Sequence, residues 1–325
     1  MIATALDSSR RSLSAWVWEE LAELEPSSFY DAFGGNARVA QFFKRQGYQT
    51  FVSDILQSHY WRAVALVQNN DAILTPAHFE QIMQHGNLSQ YTDFAAWQDH
   101  YFTKEEAQLL GAWWQNIESG EAFQNSPELK GMAYTAVFMV MHYWLNINQS
   151  YLQAKNMSPE QVLKHYIQQL NSWVTDNQMP NMAYFTNAYD LASQLPADAV
   201  WINPPAMSGF RDTHRKAELT ECWARHVSQI NLSGVLPEND SPQLGQTFHD
   251  SQSYLKALGR FLDCCSESRI WVLAHSERLG VSLAELEETL ESKRSIWKRA
   301  VMTTPFPLAH DTLEEKDTLL IAVAQ

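Results

Sequence analysis

Asn203-Pro204-Pro205 is the tripeptide whose residue types point most directly to chemistry. It closes the apolar run Ala199-Val200-Trp201-Ile202. Proline fixes φ and removes a backbone donor, so the pair ends a strand and holds its neighbours extended. An amide side chain set rigidly at the carboxyl end of a buried strand stands where open α/β sheets bind ligands. Other residues suit the same edge. In Asp31-Ala32-Phe33-Gly34-Gly35-Asn36-Ala37, glycines after a strand let the backbone approach a ligand, and the following helix N-terminus offers N–H groups. The same turn is equally a tight strand-to-helix connection, and it has no third glycine in dinucleotide spacing. Asp54 ends the next strand and can accept hydrogen bonds from ribose hydroxyls, or act as a helix N-cap or solvated acid. Asn187, after Phe185-Thr186, can reach an adenine amino group or cap the helix at 189–194.

The elements that must position these groups follow from periodicity. Leu13, Trp16, Val17, Leu21 and Leu24 form one face of a helix over 12–24. A strand over 27–33 breaks at Gly34-Gly35, and Val39, Ala40, Phe42 and Phe43 pattern a helix that Gly47 ends. The strand 50–53 then runs into Asp54, which completes a Rossmann-like opening. From 61 to 180 the spacing is helical and aromatic, with Pro76, Pro127 and Pro159 near helix starts and no strand signals. This block holds five Lys/Arg against eleven Asp/Glu and reads as an inserted helical domain. Strand character returns at 183–186 and 199–202. A polar, loop-rich stretch covers 208–246, a helix 251–264, and Ile270-Trp271-Val272-Leu273-Ala274 is a buried strand. A helix over 283–297 precedes an antiparallel pair, 300–303 and 318–323, joined by a long loop. Trp113-Trp114 and Trp144 read as core, and His142, His165 and His275 have no metal-ligand spacing.

Composition sets outer limits. A chain of 325 residues with 45% hydrophobic residues holds a large α/β core together with an insert. Cys222, Cys264 and Cys265 form no disulfide or zinc framework and fit a reducing cytoplasm. The run Met132 to Leu145 is too short to span a bilayer and contains His142, so it reads as a buried helix. The net charge of −14 opposes duplex nucleic acid unless a local basic face or a basic partner offsets it. Arg211, Arg215 and Lys216 follow the Asn-Pro-Pro stretch and are candidates for a phosphate-contacting rim, or for a solvated helix face. Lys293, Arg294, Lys298 and Arg299 crowd the late helix and read as solvated residues paired with nearby Glu.

The Asn-Pro-Pro stretch and the order of the motifs resemble the DNA adenine methylase family, the S-adenosylmethionine-dependent methyltransferases acting on adenine N6. In that family a strand and an F-x-G-x-G turn hold the cofactor, and an Asp/Asn-Pro-Pro-Tyr/Phe motif holds a flipped base. The chain presents these in the same order: cofactor turn, acid after the second strand, large insert, then Asn203-Pro204-Pro205. His100-Tyr101-Phe102-Thr103-Lys104-Glu105-Glu106 is similar to a segment in the insert of some members, and Ser9-Arg10-Arg11-Ser12-Leu13 has arginine where relatives often have lysine.

The resemblance implies an α/β fold: a Rossmann-like methyltransferase sheet built from 1–60 and 181–325. A helical insert over 61–180, between the second and third strands, serves target recognition or a partner. It implies S-adenosylmethionine as cofactor, held by Asp31, Phe33, Gly34, Gly35, Asp54 and Asn187, with no metal. It implies that Asn203, Pro204 and Pro205 orient the adenine amine, that DNA is the partner, alone or together with a protein, and that no membrane is involved. Two positions depart from the family pattern. Ala206 stands at the stacking aromatic and Ala37 at the second glycine. Without that aromatic, a catalytically silent binding subunit of a modification, defence or antirestriction system is the alternative. Methylation of RNA or of a protein amide is a third reading.

Overall fold

The computed structural model describes residues 9–149, 157–195, 197–209, 215–230, 232, 235, 242–307 and 312–324. Two compact units divide the chain. Met1–Ile55, Met179–Thr213 and Asn231–Gln325 form the first, and Leu56–Gln178 with His214–Ile230 form the second.

The first unit is built on seven strands: β1 (Ser28–Asp31), β2 (Gln49–Asp54), β3 (Met182–Phe185), β4 (Ala199–Ile202), β5 (Ile270–Ser276), β6 (Ile296–Pro307) and β7 (Thr312–Val323). Their spatial order is β3-β2-β1-β4-β5-β7-β6. The first five run parallel, and β7 is antiparallel to both β5 and β6. Every residue of β1 and β4 is buried, as expected of parallel strands covered on both faces. Alternate residues enter opposite cores. Tyr30, Val200 and Ile202 join Leu258, Phe261 and Leu273 on one face. Phe29, Ala199 and Trp201 join Val17, Phe43 and Ile321 on the other.

Two expectations for this unit are corrected. The late helix is Leu283–Glu291, so Lys298 and Arg299 lie on β6 and not on a helix. The closing strands are longer than 300–303 and 318–323, pairing from Ile296↔Ala322 to Pro307↔Thr312, and this leaves no room for a long loop. Cross-strand pairing extends them through polar residues such as Thr303, Lys316 and Glu315, which a hydrophobic pattern does not mark.

The second unit is helical. Its helices start where capping chemistry directs: Thr75, Thr103 and Ser158 each close a capping box, and Pro76 and Pro159 occupy the first turn. Trp113 and Trp144 stack inside it at 5.6 Å. The stretch 208–246 is not all loop, because Arg215–Ala224 is a helix of this unit. Leu219, Cys222 and Trp223 are buried, and the Trp223 indole donates to the Leu110 carbonyl at 3.0 Å. Glu221 is fully buried and accepts hydrogen bonds from the amides of Gln57 and Ser58, at 2.9 and 2.8 Å, and from the Arg225 guanidinium. It supplies the cap that Leu56 cannot give the Gln57–Ala63 helix. A polar residue at a core position hid this helix from a periodicity reading.

Candidate active site at the carboxyl edge of the sheet

The turn after β1 is shaped by its backbone. The Gly34 amide donates to the Ser53 carbonyl at 2.9 Å, and a Cβ at Gly34 would lie 2.4 Å from Val52 Cγ1. Only glycine fits there. Gly35 has φ +51° and donates its amide to Asp54 Oδ2 at 2.9 Å. Ala37, at φ +55°, also sits in the left-handed region, and its amide closes the turn on the Gly34 carbonyl at 2.7 Å. The Arg38–Arg45 helix starts from it. The Asp54 carboxylate thus fixes the turn as well as ending β2.

Asp31 is 2% exposed. Burial, and then the charge of Asp54, push its carboxyl up to about 7, against amide hydrogen bonds from Phe33 and Ala40 that lower it. Its Oδ1 is buried without a hydrogen-bond partner among the described residues. Such an atom is costly unless something else satisfies it. The Phe33 ring packs on Phe261 at 5.1 Å and so contributes to the core. Asn187 follows β3, where Phe185 pairs with Asp54. Its Oδ1 caps the Ala188–Ala192 helix through the Tyr189 amide at 3.0 Å, and its Nδ2 donates to Gln243.

The second loop at this edge follows β4. Asp31 pairs with Trp201, and the Ala32 amide donates to the Trp201 carbonyl at 3.2 Å. Asn203 therefore emerges beside the glycine turn, where strand order reverses between β1 and β4 and open sheets place their ligand crevice. Asn203 is exposed, Pro204 buried, and Pro205 and Ala206 half-buried. The loop is anchored from elsewhere in the chain. The Tyr254 hydroxyl donates to the Pro205 carbonyl at 3.0 Å, the Met207 amide donates to the Leu279 carbonyl at 3.0 Å, and the Phe248 amide donates to the Met207 carbonyl at 2.8 Å. Sequence reasoning missed Tyr254, Phe248, Leu279 and Gln243. Tyr254 falls on the apolar face of a recognised helix, where nothing local separates a loop-holding tyrosine from a core one.

The basic candidates are placed differently. Arg211 and the Arg215 side chain lie outside the described residues. Lys216 belongs to the second unit, where it donates to Asn146, and burial lowers its pKa. Lys293 pairs with Asp263, Lys298 with Glu20 and Arg299 with Glu287. Arg294 covers the Trp271 ring at 3.7 Å and donates to the carbonyls of Ser266, Ser268 and Arg269. Among the described residues no group of three or more His, Cys, Asp or Glu is arranged to hold a metal, and no helix is long and apolar enough to cross a membrane.

A doubly wound sheet in this strand order, with a glycine turn after β1 and an acid ending β2, is a Rossmann-like methyltransferase fold. The chain is a distant homologue of the Type II methyltransferase M2.HphI of Haemophilus parahaemolyticus, with 24% identity over 257 residues, covering 71% of this chain and 76% of that protein. No profile of a known protein family matches it.

Proposed function

We propose that the chain transfers a methyl group from S-adenosylmethionine to the exocyclic N6 of adenine in DNA. The observation that carries this reading is Asn203, exposed on a doubly anchored loop beside a glycine turn at the switch point of the sheet. The residues of that turn fit the cofactor. At Gly35 a Cβ would meet nothing nearer than the Phe33 carbonyl at 3.8 Å, so the turn backbone is open to a ligand, and Asp31 presents a buried oxygen with no partner among the described residues. Asp31, Phe33, Gly34, Gly35, Asp54 and Asn187 would hold S-adenosylmethionine, which when bound supplies an electrophilic methyl on a sulfonium.

The chain's own contribution is positioning. The adenine amine is a poor nucleophile because its lone pair is delocalised into the ring. The Asn203 side-chain oxygen and the Pro204 carbonyl accept its two N–H bonds and orient the nitrogen, a proximity and electrostatic effect more than acid–base catalysis. The base must first leave the duplex. Arg211, Arg215 and Lys216 are proposed to meet the phosphates, and the insert to read the target or bind a partner that offsets the acidic charge. Three free thiols suit a cytoplasmic protein.

A second reading is favoured by Ala206, which offers no ring on which a flipped base can stack: a catalytically silent binding subunit of a modification, defence or antirestriction system. Transfer of a labelled methyl into adenine-containing duplexes decides between them. The methyltransferase reading expects incorporation that falls about 100-fold or more in Asn203→Ala. Incorporation unchanged by that substitution contradicts the mechanism, and none in the wild-type chain supports the silent subunit.

A further inference from the structure

Between Asn203 and Ala206 few backbone torsions remain soft. The rings of Pro204 and Pro205 fix their own φ, and each proline restricts the residue before it. Pro205 precedes Ala206, so its ψ carries no such restriction, and the direction of its carbonyl reports that angle. The Tyr254 hydroxyl holds that carbonyl at 3.0 Å. Tyr254 is fully buried on the Ser251–Cys264 helix, its ring edge-on to Phe248 at 5.3 Å. Burial raises its pKa far above the usual phenol range, so the hydroxyl stays a donor at any working pH. Phe248 in turn ties down Met207, whose side chain packs against Gly280. The frame behind the loop is therefore one connected cluster, and Tyr254 supplies its only side-chain hydrogen bond to the prolines among the described residues.

On the methyltransferase reading, the geometry points to Tyr254 as a positioning residue for the target amine, acting through the Pro205 carbonyl on the Asn203 and Pro204 acceptors. Ala206 makes this support matter more. With no aromatic face to hold the base, alignment rests on the two acceptors, and these are as well aimed as the backbone that carries them.

Tyr254→Phe removes one oxygen and keeps the ring, so the core stays filled. The experiment measures turnover with S-adenosylmethionine and duplex DNA, together with amide hydrogen exchange over 203–209 and 31–37. The expected result is a kcat about tenfold lower with KM for S-adenosylmethionine unchanged, the size of one lost hydrogen bond expressed in the reacting geometry. Exchange should quicken in 203–209 and stay as in the wild type in 31–37. Turnover unchanged in the variant overturns the proposal, whatever the exchange shows, because Tyr254 is then structural only. Equal loss in kcat and cofactor affinity also overturns it, since the effect would then be general. No transfer by the wild-type chain is a distinct failure: it removes the methyltransferase reading itself. In that case unchanged exchange in 203–209 shows separately that Tyr254 does not restrain the loop.

Discussion

The two loops at the carboxyl edge reach rigidity by opposite routes. The turn 31–37 makes its shape from its own backbone: Gly34 against Val52, Gly35 and Ala37 in the left-handed region, and short amide bonds to Ser53, Asp54 and Gly34. The loop 203–209 is stiffened by two prolines and then held by Tyr254, Phe248 and Leu279, residues far downstream in the chain. A turn that shapes itself tolerates little change in its own residues. A loop braced from outside tolerates change within itself but depends on its braces.

The largest expected effect is in the first loop. Burial and Asp54 raise Asp31 from its ordinary value to about 7 in the folded chain. A raised acid contributes stability that is fully present below its unfolded pKa of about 4 and is lost as pH rises through about 7. The whole shift corresponds to on the order of 4 kcal/mol at most. Urea unfolding at pH 5 and pH 7 should show about half of this loss, on the order of 2 kcal/mol, in the wild type and a much flatter dependence in Asp31→Asn. Parallel profiles for the two proteins would break the assignment.

Next is the steric limit. Gly34→Ala places a methyl against Val52 and should destabilise the chain by about 2 kcal/mol, whereas Pro205→Ala in the braced loop should cost about 0.5–1 kcal/mol. Equal losses in denaturant titrations would erase the contrast. Ala206→Tyr then tests what the second loop lacks. Stacking is worth about 1–3 kcal/mol per base, so binding of duplex DNA should tighten about fivefold or more. An unchanged affinity would show that position 206 does not meet the base. The smallest effect is Ala37→Gly, where relief of a left-handed alanine is partly offset by the backbone freedom of glycine, for a net stabilisation of about 0.5 kcal/mol, seen as a raised urea midpoint. A lowered midpoint would mean that the Ala37 methyl packs better than its backbone strains.

How far sequence reaches follows the same contrast. The turn 31–37, Asp54 and the β4 strand are legible because their signals lie within a few residues: apolar runs, paired glycines, a proline pair. The seven-strand order, with β1 and β4 adjacent and β7 between β5 and β6, is encoded by no local pattern. The helix Arg215–Ala224 escapes because its buried face includes Glu221, whose partners lie some 160 residues earlier. Lys298 and Arg299 look helical beside a helix and prove to be strand residues, held by cross-strand pairing with β7. Phe33 and Asn187 keep their places at the edge, yet the structure also gives each a structural task, in the core and as a helix cap. Spacing alone does not separate the two uses.

The measurement that bears most directly on the account is calorimetric titration of S-adenosylmethionine into the wild-type chain and into Asp54→Ala. The account predicts saturable binding to the wild type, at least about tenfold weaker once Asp54 no longer holds Gly35 and the ribose hydroxyls. No binding to the wild-type chain, or equal binding to both proteins, would contradict it.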